Sequence, residues 1–162
     1  MMKAQIMREH AKSLIYATIV FLLLYIFLWP VRIIGVSMEP VLNDDDRVFV
    51  SRAMVWVGAY ERNDLVMTRI DGEVRQRFII KRIVAVPGDV IVIENGQLSV
   101  NNELIAVDVY GSVSIVLDYN HYFLMGDNHA YSNDSRDFGS VHSRDIRGRV
   151  LFRFFGGRFN IY

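Results

Sequence analysis

The chain has 162 residues, enough for one domain that buries a core without metal or disulfide staples. Its 18 basic and 18 acidic residues balance, which leaves no electrostatic footprint for nucleic acid. The absence of cysteine excludes disulfides, thiolate nucleophiles and cysteine-bound zinc, and the four histidines (His10, His121, His129, His142) have no H-x-x-x-H spacing, so a metal site is not expected.

Residues 13–31 carry no charge and are nearly all apolar. A helix over that run would span roughly 28 Å, close to the hydrocarbon thickness of about 30 Å. Trp29 suits a membrane–water interface, and Pro30 ends the helix because it lacks an N–H and clashes with the preceding turn. Lys3, Arg8 and Lys12 precede the run with only Glu9 against them. The positive-inside rule then makes 1–12 a cytoplasmic tail, 13–31 a single-pass anchor in the lipid bilayer of the cell membrane and 32–162 an extracytoplasmic domain. A cleaved signal peptide fits less well, since the run exceeds the usual apolar region of about 7–15 residues and no small-x-small site follows it. A buried core helix seldom has so long an uncharged run.

Beyond the anchor the apolar runs are short and rich in β-branched and aromatic residues. Strands are expected at 47–51, 64–70, 77–86, 90–94, 98–100, 113–117, 122–125 and 149–155. Turns are marked by Asn43-Asp44-Asp45-Asp46, Asp71-Gly72, Pro87-Gly88-Asp89, Asn95-Gly96 and Asn101-Asn102. Asn95-Gly96 between two alternating runs predicts a hairpin, because both residues tolerate positive φ, and Pro87-Gly88 fits the centre of a type II turn. Residues 139–146 have room for one helical turn. The pattern predicts a mainly β, antiparallel domain.

Three segments could carry chemistry. In Gly35-Val36-Ser37-Met38-Glu39-Pro40, a serine between glycine and proline sits on constrained backbone that can present a hydroxyl and neighbouring N–H groups to one carbonyl; alone, it reads as a turn. In 77–86, strand alternation puts Lys81 on one face with Ile79, Ile83 and Ala85, and Arg82 on the other with Phe78, Ile80 and Val84. As a central strand this would bury an ammonium and lower its pKa, making a general base; taken alone, the segment reads as an edge strand whose charged heads reach water. The stretch from Gly126 to Asp137 is too polar for core, and alone reads as a solvated loop in which Asp134 and Arg136 could pair.

The three segments, in this order after an N-terminal anchor, match the ordered motifs of type I signal peptidases, the serine–lysine leader peptidases. Ser37-Met38-Glu39-Pro40 resembles the nucleophile box, and Lys81-Arg82 followed by Pro87-Gly88-Asp89 resembles the lysine box. Gly126-Asp127-Asn128 with Ser132, Asp134, Ser135 and Arg136 resembles the C-terminal box, and Arg62-Asn63-Asp64 is a weaker echo of the family's Arg-Gly-Asp strand. The resemblance runs from the anchor to about Val150. It implies Ser37 as nucleophile, Lys81 as general base, Ser132 orienting the lysine, and Asp134 and Arg136 as an ion pair beneath the site. Met38 and Pro40 would border the substrate groove. The implied fold is two antiparallel β-sheet lobes, the second small and within about 91–121. The implied activity is removal of signal peptides from secreted preproteins at a small-x-small junction, with no cofactor, metal or nucleic acid.

Departures from the family pattern are Val41 where threonine is usual, Asn63 for glycine and His129 for a basic residue. Gly35 stands where some relatives carry a serine that completes the oxyanion hole, so the hole would rest on backbone N–H groups, including that of Ser37. Three other readings compete. A self-cleaving repressor-type serine–lysine peptidase is soluble, against the anchor. A dedicated or non-catalytic factor for pilus or surface-protein assembly keeps the fold, but a non-catalytic one would not need both Ser37 and Lys81. A structural β domain leaves the motifs unexplained. The tail 156–162 has no assigned role.

Overall fold

Helix α1 (Met2–Phe27) ends before Pro30, the residue expected to break it. Leu28–Arg32 continues as strand β1, pairing antiparallel with β2 (Arg47–Ser51), with Trp29 opposite Val50 and Pro30 opposite Phe49. The proline is tolerated because β1 is an edge strand, where a missing donor costs no ladder bond. The side chains from Leu14 to Tyr25 that carry the apolar run are exposed, Leu14 at 68% and Phe21 at 66%. Among the described residues no helix is long and apolar enough to cross a membrane. The computed structural model describes residues 2–53, 55, 58, 60–70, 77–155 and 158–161; the predicted Asp71-Gly72 turn and Gly156, Gly157 and Tyr162 of the tail lie outside them.

The remaining strands are β3 (Leu65–Ile70), β4 (Arg77–Ala85), β5 (Val90–Glu94), β6 (Gln97–Val100), β7 (Glu103–Val107), β8 (Val113–Val116), β9 (His121–Met125), β10 (Val141–His142), β11 (Ile146–Phe155) and β12 (Arg158–Ile161). The large sheet runs β1-β2-β11-β3-β4-β9-β10, with β12 also paired to β11; the small sheet runs β7-β6-β5-β8. Every pairing is antiparallel, as the sequence predicts. Asn95 and Gly96 both take positive φ in the β5–β6 hairpin, and Gly88 does so in the turn closed by Asp89 N–H on Val86 O. The predicted helical turn within 139–146 is a 3-10 turn at Ser143–Asp145, and a short helix, α2, spans Ser135–Phe138.

Three apolar clusters hold the fold. Met38, Leu42, Val48, Val50, Leu65, Met67 and Val150 pack on one face of the large sheet, burying the loop after β1. Val66, Ile83, Leu124 and Ile146 pack on the other face. Ala85, Phe123 and Met125 of the large sheet meet Ile91, Ile93 and Leu98 of the small one and Val109 of the link between β7 and β8. The first cluster fixes the Ser37 loop, and strand β4 passes between the first and second. Ile80 of β4 belongs to the first cluster with Met38, which brings the first two candidate segments together.

Candidate active site

Strand β4 lies inside the large sheet, between β3 and β9, which corrects the edge-strand reading of its two charges. Lys81, opposite Val66, is only 2% exposed. Arg82 on the other face instead makes a two-point pair with Asp127, Nε to Oδ1 at 2.6 Å and Nη2 to Oδ2 at 2.7 Å, and Nη1 donates to Asn63 O. One charge is satisfied by a carboxylate. The other is buried with a neutral partner.

That partner is Ser132, whose Oγ accepts from Lys81 Nζ at 2.8 Å. Burial lowers the Lys81 pKa, the charge of Asp134 opposes the shift, and the charge of Arg136 adds to it. Ser132 Oγ in turn donates to Asp134 Oδ2 at 2.7 Å. Asp134 also accepts from Gly126 N–H and from Arg136 Nε and Nη2, in a pair whose side chains are fully buried. Burial alone would raise the Asp134 pKa, but the bonds from Arg136, Ser132 and Gly126 outweigh it and hold the carboxylate below its usual range. Ser135 Oγ accepts from Leu124 N–H, which ties the loop to β9.

The Ser37 loop docks on this assembly through its main chain. Asn128 N–H donates to Ser37 O at 3.1 Å, and Asn128 Nδ2 donates to Val36 O at 3.1 Å. Gly126 is the junction: a Cβ there would overlap both Ser37 O and Ser132 Oγ, so only glycine allows the nucleophile loop and the lysine-orienting hydroxyl to close on the same point. Ser37 is half-buried. No hydrogen bond joins Ser37 to Lys81 in this structure, and the Ser37 N–H has no acceptor among the described residues.

The structure also locates Met38, Pro40 and Gly35. Met38 lines a groove of about 160 Å³ with Val31, Ile33, Ile34, Ser37 and residues 78–80 of β4, while its side chain roots in the core. Pro40 is exposed, follows a cis peptide and does not line that groove. Gly35 N–H is committed to Asp44 Oδ1 at 2.7 Å, so Gly35 contributes no donor to an oxyanion hole here. Gly126 and Asn128 stood in the matched motif without an assigned role, and only the three-dimensional closure assigns one. The Arg62 echo pairs with Asp89, whose carboxylate also takes Val86 N–H and Asn101 Nδ2, a brace for the turn after β4.

A family model described as "Signal peptidase, peptidase S26" matches residues 7–155. A signal peptidase I of Bacillus licheniformis is 32% identical over 165 residues, covering 91% of this chain and 88% of that protein. Signal peptidase I U of Bacillus subtilis (strain 168) is 31% identical over 144 residues, covering 80% and 76%. A crystal structure of a signal peptidase I from Enterococcus faecalis V583 aligns with a TM-score of 0.46 at 20% identity, over 56% of this chain and 96% of that one.

Proposed function

This chain belongs to the signal peptidase, peptidase S26, family and is a serine endopeptidase; from that premise we propose that it removes signal peptides from exported preproteins with Ser37 as nucleophile and Lys81 as general base. The observation that carries the reading is Lys81 itself. A lysine buried inside a sheet, its pKa lowered and its Nζ aimed by a serine hydroxyl, has little structural use and a clear chemical one.

Neutral Lys81 takes the proton of Ser37 Oγ as that oxygen attacks the scissile carbonyl. The Ser37 N–H, with no acceptor among the described residues, is the donor left to take the oxyanion, a type of contact worth about 10²–10³ in rate. The lysinium then protonates the leaving amine, and the same lysine activates the water that hydrolyses the ester. Catalytic hydrogen bonds in empty sites are often long and tighten with substrate, which accommodates the missing Ser37–Lys81 bond.

The groove supports an extended substrate. Among the described residues the outer edge of β1 is unpaired and β9 covers β4 only from Arg82 onward, so residues 78–80 leave a second free edge across the groove from it. A peptide can add as a strand between them, its alternate side chains entering a space suited to small residues, as in Ala-x-Ala. Membrane anchoring through α1 is part of the same proposal. Its apolar side chains are exposed along residues 14–25, and Trp29 just beyond packs against Phe78 and under Arg52. Full-length protein released from membranes by an alkaline wash would contradict the anchoring.

The deciding experiment is cleavage of a fluorogenic Ala-x-Ala peptide in detergent micelles by wild type, Ser37→Ala and Lys81→Ala. Cleavage at the junction by wild type alone is expected. Near-wild-type cleavage by either variant sinks the assignment.

A further inference from the structure

The link between β7 and β8 is rooted in the small sheet. Val109 is 1% exposed in the core between the sheets, and its N–H donates to Gly96 O at 3.0 Å. The next residue, Tyr110, leaves that sheet and reaches the loop that orients Lys81. Its ring lies under the Arg136 guanidinium, with Cζ 3.9 Å from the ring centroid. Its hydroxyl proton is shared between Ser132 O at 2.9 Å and Asp137 Oδ2 at 3.1 Å.

These contacts fall on both ends of one short stretch. Ser132 O is the main-chain acceptor of the residue whose Oγ holds Lys81 Nζ. Asp137 Oδ2 accepts from Asp134 N–H at 3.0 Å, and Asp134 holds the same Ser132 Oγ. Arg136, braced by the ring, grips Asp134 through two nitrogens. Without the Tyr110 hydroxyl, Ser132 O keeps, among the described residues, a 3.2 Å bond from Arg136 Nη2 alone. The groove, lined by residues 31–34, 37, 38 and 78–80, includes none of these groups.

We propose that Tyr110 is a positioning residue for the catalytic pair, through which the small sheet fixes Ser132 and hence the aim of Lys81. The inference rests on the Ser37–Lys81 reading above. It assigns the small sheet a part in catalysis rather than in substrate binding. Tyr110 touches neither the lysine nor the groove, so its effect is confined to the chemical step.

The test is steady-state cleavage of the Ala-x-Ala peptide by the full chain in micelles, with wild type, Tyr110→Phe, Ser132→Ala, the double variant and Lys81→Ala. Tyr110→Phe keeps the ring over Arg136 and removes only the hydroxyl. The kcat should fall about five- to tenfold, the scale of one lost hydrogen bond, with KM within about twofold. The double variant should be no slower than Ser132→Ala alone, because both changes act through one group. A merely structural role would lower the melting temperature and leave kcat per folded molecule unchanged. If kcat is unchanged, or the two losses multiply, the inference is wrong even with Lys81→Ala inactive. If Lys81→Ala still cleaves, the inference falls together with the reading beneath it.

Discussion

Lys81 Nζ donates to Ser132 Oγ at 2.8 Å, and the two residues are 2% and 4% exposed. A lysine so enclosed pays for its charge in lost hydration, so its pKa falls below the ordinary 10.5. The neutral base grows with pH, and kcat/KM should therefore rise with pH along an acidic limb that lies below 10.5 and vanishes in Lys81→Ala. The stability linkage has a definite sign. Between the folded and unfolded pKa values the unfolded chain holds a proton that the native chain lacks, so this group makes stability rise with pH through that window. Lys81→Met, which removes the buried amine, should abolish cleavage while its melting temperature at pH 7 equals or exceeds that of wild type. A melting temperature well below wild type would show that the lysine is a structural anchor instead.

Asp134 and Arg136 follow the opposite rule. Their side chains are fully buried, and Arg136 Nη1 has no hydrogen-bond partner among the described residues. Asp134→Ala would strand a buried guanidinium, a change worth about 3–5 kcal/mol of stability, readable from the urea midpoint. Because the Asp134 pKa is depressed, its stabilisation is present above the ordinary value of 3.8 and is lost as pH falls through the lower folded value. The difference between wild type and Asp134→Ala should therefore shrink in acid. A constant difference down to that range would contradict the linkage.

Legibility in the sequence followed how local the cause was. The β5–β6 hairpin and the turn after β4 were readable because Asn95-Gly96 and Pro87-Gly88 carry their own backbone preferences. Strand β1 was not, since Leu28–Arg32 continues an apolar run and only pairing with β2 makes it a strand. Strand β7 was missed because its residues are mostly exposed and show no alternation of burial. The alternation of 77–86 pointed to Lys81 and Arg82 as misplaced charges, but whether they met water or a core depended on β3 and β9, far along the chain. Tyr110 gave no signal, because its partners come together only in the folded chain.

Gly126 offers a test of the closure between the two halves of the site. A methyl group there would overlap Ser132 Oγ and Ser37 O, and the second is main chain. One of them must shift, and either shift misaligns nucleophile and base. Gly126→Ala should keep a β-type circular dichroism spectrum while kcat/KM falls about 100-fold, the scale of a misplacement of about 1 Å. Activity within about threefold of wild type would mean that the junction yields and that Gly126 sets no catalytic distance.

The groove makes a prediction about substrate. Its volume of about 160 Å³ lies between Val31–Ile34 and residues 78–80, beside Ser37, and buried Met38 forms part of its wall. Met38 is packed in the core with Leu42 and Val48, so it cannot retreat to widen the space. A peptide with leucine in place of alanine just before the cut must then bind with that side chain out of the groove, which moves its carbonyl away from Ser37. Cleavage of the leucine peptide should fall at least about 100-fold in kcat/KM, and Met38→Ala, which opens the wall, should recover part of the loss for leucine alone. Equal cleavage of alanine and leucine peptides by wild type would show that this groove does not read the residue before the cut.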